Sequence, residues 1–365
     1  MISRAFELLS RRIDGPLMAA LALTLALGVV VVYSANGGGS IDRVFVQGRN
    51  LALAFVALWV FAHIHPQLLM RLAVPVYVIG LALLIGVALF GDIRNGARRW
   101  LNLGFITLQP SEIMKIGVPL MLAWWFHRRE EGLRLLDFAV AAIILALPVG
   151  LIVRQPDLGT ALLIFASGFF VIFLAGLSWK VLASMLVAGG LSLPFLWSML
   201  HDYQRQRVLT LIDPMQDPLG TGYHIIQSTI AIGSGGILGK GWLNGTQAQL
   251  DFVPERSTDF ILAVFGEEFG LVGNVFLILL YLLIIGRGLM IAANASTVFS
   301  RLVAGAITLT FFTYAFVNMG MVSGILPVVG VPLPMISYGG TALLSILAGF
   351  GILMSISTHK QLVSS

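Results

Sequence analysis

The chain has 365 residues, 58% of them hydrophobic and 11% charged, with a mean hydropathy of +0.94, a formal net charge of +5 and a pI of about 9.7. Soluble domains carry roughly 25% charged residues, so this composition excludes a water-covered surface and requires a bilayer as solvent. The absence of cysteine excludes disulfides, thiolate zinc sites, iron–sulfur clusters and cysteine nucleophiles, and the six histidines form no HExxH zinc pattern.

Lipid offers no partner to backbone N–H and C=O groups, so spanning segments must be helices or a closed barrel. The apolar runs are long and continuous rather than alternating, which selects helices. In chain order, spans are expected at 15–34, 48–64, 71–90, 111–126, 137–153, 158–177, 180–199, 259–291, 300–323 and 335–357. The first follows Arg4, Arg11 and Arg12 and is longer than the apolar core of a signal peptide, so it reads as a retained anchor.

Positive charge favours the cytoplasmic side, which places the N-terminus inside. Ten spans return the C-terminus, with Lys360, to the same side. The 127–136 loop, with Arg128, Arg129 and Arg134, also falls inside, and the uncharged 324–334 loop falls outside. One loop breaks the rule: 91–110 falls outside yet holds Arg94, Arg98 and Arg99. The longest non-spanning stretch, about 200–258, falls outside and is rich in Gly, Pro and aromatics, so short interfacial helices are expected there. The expected fold is an all-α polytopic membrane protein, one domain over 1–365, with about ten transmembrane helices and a large extracytoplasmic loop between the seventh and eighth. The basic charge fits cytoplasmic loops or an anionic headgroup, not nucleic acid.

Charge inside a span is expensive and marks candidate chemistry. Arg98, Arg99 and Trp100 stand at the outer interface, where guanidinium groups bind phosphate oxygens bidentately and an indole stacks on sugar or anchors at headgroup depth. Glu112 and Lys115 open the next span at i, i+3, either as an internal ion pair or as part of a site. In QPDLGT, Asp157 is placed to cap the span that follows. The glycines of QSTIAIGSGGILGKG lack P-loop spacing but leave Lys240 as a candidate phosphate contact.

The stretch 241–270 holds Asp251, Glu255, Asp259, Glu267 and Glu268. Pro254 breaks the chain, Ser257 or Thr258 is placed to cap the next helix, and Asp259 then falls in its first turn at the outer face. At about 100° per residue, Gly266, Gly270 and Gly273 share its angular position, which predicts a stripe of small residues beneath it, either for close approach of a neighbouring helix or as space for a ligand. Asp259 is either a capping acid stabilised by the macrodipole or a functional carboxylate. Glu267 and Glu268 are expected to face the bundle interior, paired or lining a polar cavity. The last motif, GILPVVGVPLPMISYGGT, puts irregular backbone with Ser337, Tyr338 and Thr341 at membrane depth, where it must be buried in protein or line a cavity.

Taken in series, RRW…LQPSE..K, PDLGT, AIGSGGILGKG, LNGTQ…DFVPER.TDF…GEE.G and GILPVVGVPLPMISYGG resemble the SEDS family (shape, elongation, division and sporulation proteins) over essentially the whole chain. The LNGTQ.QLDF.PER.TDF segment looks like its RodA-like elongation branch more than its division branch. The resemblance implies a peptidoglycan glycosyltransferase that polymerises lipid II at the outer face of the inner membrane during cell elongation and rod-shape maintenance. It also implies a divalent cation, Mg²⁺ or Mn²⁺, a class B penicillin-binding protein as partner, and the elongation machinery. The family's essential aspartate falls on Asp259, its Glu–Lys pair on Glu112 and Lys115, and its Arg–Trp pair on Arg99 and Trp100. Two positions depart: Ser257 stands where the family usually has His, which excludes a direct role for that His, and Thr341–Ala342 stand where Ser–Ser is usual.

On this resemblance Asp259 is the general base or, alternatively, a metal ligand. Arg98, Arg99, Trp100, Glu112, Lys115, Lys240, Gln247, Glu255 and Ser337 are the substrate-binding candidates. The rival reading is a lipid-linked precursor flippase or transporter, which ten spans, intramembrane acids and a Pro/Gly-interrupted segment also suit.

Overall fold

Each long apolar segment satisfies its own backbone as a helix, and local chemistry sets where it starts. The computed structural model describes residues 13–38, 41–94, 97–102, 107–130, 132–199, 202–217, 220–250 and 252–359. Arg4, Arg11, Arg12, Asp251 and Lys360 lie outside the described residues. Helix α1 spans Gly15–Ala35 behind the cap Asp14, whose Oδ1 accepts from Leu17 N at 3.1 Å. Pro16 stands in the first turn, where a missing N–H leaves no bond unmade. Helix α2 spans Ile41–His63. Prolines likewise open α3 (Pro66–Phe90) and α4 (Pro110–His127). Helices α5 (Leu135–Val153), α6 (Leu158–Leu174) and α7 (Trp179–Met199) follow, with Asp157 capping α6 as expected, its Oδ1 accepting from Thr160 N at 3.2 Å.

The 200–258 region contributes short helices, α8 (Asp202–Ile212), α9 (Thr221–Ser234) and α10 (Thr246–Gln249). At 14 residues, α9 is about 21 Å long, too short to cross the hydrocarbon core. The chain ends in α11 (Ile261–Ala293), α12 (Val298–Val322) and α13 (Thr341–Thr358). Among the described residues seven helices are long and apolar enough to cross a membrane: α1, α2, α3, α5, α11, α12 and α13. Helices α4, α6 and α7 stand where three further spans were expected.

The expectation of an all-helical chain is corrected at 92–108. Strands β1 (Asp92–Arg94), β2 (Ala97–Asn102) and β3 (Thr107–Leu108) form a small antiparallel sheet in that order. The Asn-Gly pair at 95–96, between two short strand-forming runs, is a hairpin signal that a search for apolar spans passes over.

Helices α12 and α13 are the most buried of the seven. Helix α12 packs on α11, α6 and α4, while α2 runs along α13 and α3 along α4. Helix α7 leaves most of its apolar side chains exposed, with Leu191 at 79%. At one end of the bundle Asp14 accepts from Arg287 Nε at 2.9 Å, Arg287 Nη2 at 2.7 Å and Ser357 Oγ at 2.9 Å, which ties α1, α11 and α13 together. The functional candidates gather at the other end.

Of the two readings of the small-residue stripe, close approach and ligand space, the structure shows the first. Gly270 (φ 63°, ψ −159°) interrupts α11 in a conformation that favours glycine. The freed backbone groups are answered by the glycine loop after α9. Leu271 N donates to Gly236 O at 2.9 Å and Val272 N to Ile237 O at 3.1 Å, while Glu267 O and Glu268 O accept from Lys240 N and Gly241 N at 3.0 Å. Gly270 therefore seats this loop and Gly266 lies against Ile232 of α9, while Gly273 faces Phe269 and Phe265 of its own helix.

Candidate active site

Helix α11 begins two residues after Asp259. Neither Ser257 nor Thr258 caps it, and Phe260 holds the cap position without a side-chain bond. The preceding turn takes its hydrogen bonds from elsewhere, because a helix start cannot satisfy it. Thr258 N and Phe260 N donate to Glu255 O at 3.0 and 3.2 Å, and Tyr338 N donates to Ser257 O at 2.8 Å. Ser337 Oγ donates to Thr258 O at 2.6 Å and accepts from Leu333 N at 2.8 Å. Asn318 Nδ2, on buried α12, donates to Asp259 O and to Val331 O, both at 2.8 Å. The GILPVVGVPLPMIS segment is thus stitched to the turn that carries Asp259. Its Gly330 (φ 74°) passes so close that a Cβ there would lie 3.5 Å from Asp259 Oδ2.

The Asp259 carboxylate faces a cavity of about 170 Å³, lined also by Arg207, Thr210, His224, Glu255, Phe260 and Val328. Burial, with the charge of Glu255 adding to it, pushes Asp259 up to about 6, while Arg207 pulls the other way. His224 stacks on Phe260 at 5.4 Å, and its Nδ1 is buried without a hydrogen-bond partner. Burial holds that imidazole below its ordinary value, against the pull of Glu255, so it stays neutral near pH 7. The cavity therefore combines an ionised but basic carboxylate, a neutral imidazole and a guanidinium, the components of proton transfer beside an anionic group.

The other candidates divide by position. Arg99 Nη2 donates to Pro156 O at 2.8 Å, and its Nε lies 3.5 Å from Asp157 Oδ2, so the RRW hairpin is fastened to PDLGT. Gly159 of PDLGT in turn abuts the 329–331 backbone. Arg98 is exposed and Trp100 half-buried on the same hairpin. Glu112 and Lys115 form the internal pair, Nζ to Oε1 at 2.7 Å, and Ser345 Oγ donates to Glu112 Oε2 at 2.6 Å, which joins α4 to α13. Lys115, Tyr314 and Ser345 line a separate cavity of about 40 Å³. Lys240 is engaged by Glu267 Oε1 at 2.7 Å and by Thr246 Oγ1 at 2.9 Å. Gln247 N donates to both Glu267 carboxylate oxygens at 3.1 Å. Glu268 is buried and hydrogen-bonded to Ser34. Only Glu255 of the substrate-binding candidates lines the Asp259 cavity among the described residues.

Arg207, Thr210, His224 and Asn318 were missed in the sequence. The one available signal was Asn318, a lone amide in an apolar span. Among the described residues no group of three or more His, Cys, Asp or Glu is placed to hold a metal ion. Asp259 and Glu255 nonetheless fit a hard cation, which takes one or two protein carboxylates and completes its shell with water and substrate phosphate.

Residues 16–362 match the family described as cell cycle protein, FtsW/RodA/SpoVE. The chain is 51% identical over 355 residues to the peptidoglycan glycosyltransferase MrdB of Escherichia coli K12, across 96% of this chain and 95% of that protein. It is 37% identical to the probable peptidoglycan glycosyltransferase FtsW of Geobacter metallireducens, across 94% of each. Among solved structures it is similar to a chain of a peptidoglycan synthase complex that coordinates polymerization and crosslinking, with TM-score 0.82, 36% identity and coverage of 96% and 99%. It is also similar to the rod shape determining protein RodA of Thermus thermophilus, with TM-score 0.71, 31% identity and coverage of 94% and 96%. The chain belongs to the FtsW/RodA/SpoVE family.

Proposed function

We propose that this chain is a peptidoglycan glycosyltransferase of the elongation branch, that it polymerises lipid II at the outer face of the inner membrane, and that Asp259 is its general base. The observation that carries the assignment of the base is the Asp259 carboxylate itself, raised to about 6 in a cavity shared with Arg207, His224 and Glu255. The chain is one ten-span domain with cytoplasmic termini, and the 200–258 loop covers the outer face over this cavity. A class B penicillin-binding protein is its transpeptidase partner, a reading supported by the similarity to the synthase complex.

The chemistry needs a proton taken from an acceptor sugar hydroxyl and negative charge stabilised on a departing pyrophosphate. Asp259 takes the proton; its raised affinity for protons makes it a better base than an exposed aspartate while leaving it ionised at neutral pH. His224, neutral and with Nδ1 unpaired, orients the hydroxyl. Arg207 on the cavity wall and Arg98 on the exposed hairpin supply positive charge for the phosphates. Trp100 contacts sugar or headgroup at the interface, and Glu255 holds the charge balance of Asp259. Arg99, Glu112, Lys115, Lys240, Gln247 and Ser337 position the walls. In the alternative role, in which Asp259 is not the base, it and Glu255 would hold a Mg²⁺ or Mn²⁺ that would supply charge neutralisation at the pyrophosphate.

The test is glycan formation from lipid II by purified protein in detergent. Wild type should polymerise with Mn²⁺ or Mg²⁺ and stop with EDTA, and Asp259→Ala and Asp259→Asn should make no polymer at equal abundance. Near-normal polymerisation by Asp259→Ala removes it from catalysis. A flippase would yield no glycan in detergent, where no second compartment exists.

A further inference from the structure

At the end of the bundle opposite Asp259, a cavity of about 500 Å³ opens between α3 and α4, lined by Met70, Arg71, Val74, Trp124, His127 and Arg128. It is a basic opening. Among the described residues, neither Arg71 nor Arg128 forms an ion pair, and both are exposed. Arg128 lies over the Trp124 ring at 4.7 Å, which fixes its guanidinium without satisfying its charge.

The neighbouring residues show the contrast. Arg129, the next in sequence, is occupied on both sides: its Nε is 2.7 Å from Asp137 Oδ1, and its guanidinium lies 3.4 Å over Trp125. Glu130, the nearest acid in sequence, is 3.3 Å from His127 Nδ1. Among the described residues, the nearby carboxylates of Glu130 and Asp137 are thus engaged by His127 and Arg129, and Arg71 and Arg128 face one cavity.

We propose that this cavity binds the phosphodiester headgroup of an anionic phospholipid in the leaflet opposite Asp259. Planar guanidiniums match phosphate oxygens bidentately, and basic pockets between spanning helices at headgroup level are suited to such lipids. Trp124 is the aromatic expected at that depth. The apolar walls decide for a lipid over a free anion. From Arg71, the same face of α3 continues through Val74 to Val78, 55% exposed, one and two turns deeper toward the membrane centre. That stripe gives an acyl chain a path continuous with the headgroup site.

The experiment is native mass spectrometry of the purified full chain in detergent with added phosphatidylglycerol, cardiolipin or phosphatidylcholine. Wild type should retain the two anionic lipids and not the zwitterionic one. Arg71→Gln and Arg128→Gln should each weaken retention about five-fold, and the double variant about thirty-fold, from the attraction expected per basic residue. Arg129→Gln removes the same charge from an occupied side chain and should leave retention unchanged. Polymerisation at the wild-type rate in zwitterionic detergent verifies that a variant is folded; should the double variant fail to fold, the single variants carry the same comparison. Equal retention by wild type and the arginine variants overturns the proposal. So does equal retention of phosphatidylcholine, or displacement of lipid by equimolar glycerol phosphate, which would make this a site for a soluble anion.

Discussion

The proton affinity of Asp259 is set by its burial and by two charged neighbours, one in its own turn and one on α8. Burial and Glu255 raise its proton affinity and Arg207 lowers it, with the balance at about 6. A general base works only when deprotonated, so polymerisation should fall as pH drops through about 6 and level off above it. Glu255→Gln removes a negative neighbour and should move that acid limb to lower pH; Arg207→Ala removes a positive one and should move it higher. Initial rates at saturating lipid II between pH 5 and 8 check both, and a limb that stays put in both variants assigns the proton to another group. At this scale the sequence marked Asp259 through the TDF motif but could not separate a capping acid from a functional one. The structure shows that α11 starts at Ile261 behind Phe260, so Asp259 is not its capping acid.

At the scale of elements, the interrupted helix α11 and the glycine loop form one unit. Gly270 has φ 63°, and a Cβ there would lie 2.3 Å from Gly239 N, a backbone atom that cannot move aside. Gly270→Ala should therefore destabilise the protein by more than about 2 kcal/mol, measured as thermal unfolding in detergent. Lys240 neutralises Glu267, which is fully buried. Lys240→Met should cost about 3–5 kcal/mol by leaving a buried charge unpaired, and Lys240→Met with Glu267→Gln should cost less than the single change. If Lys240→Met instead weakens lipid II binding without loss of stability, Lys240 contacts phosphate. The loop's glycines were visible in the sequence. Their partner was not, because glycine spacing reports where backbone can approach, not what approaches it.

Across the whole molecule, the turn that carries Asp259 is held by a side chain on a buried helix. Asn318 Nδ2 joins α12 to the Asp259 turn and to the 331 segment at once. Asn318→Ala should leave two buried carbonyls short of a donor, at about 1–3 kcal/mol each, and should lower both thermal stability and polymerisation rate. A variant with wild-type rate would show that the turn holds its shape without this bond. The sequence by itself determined that the chain resides in lipid as a helical bundle, since composition and run length settle the solvent and the solvent settles the backbone. The order of its motifs also determined the family. Which polar groups share a cavity was decided only by the tertiary structure. Arg207, His224, Asp259, Asn318 and Gly330 lie on separate segments, and apolar periodicity describes a helix's faces without saying which neighbour each face meets.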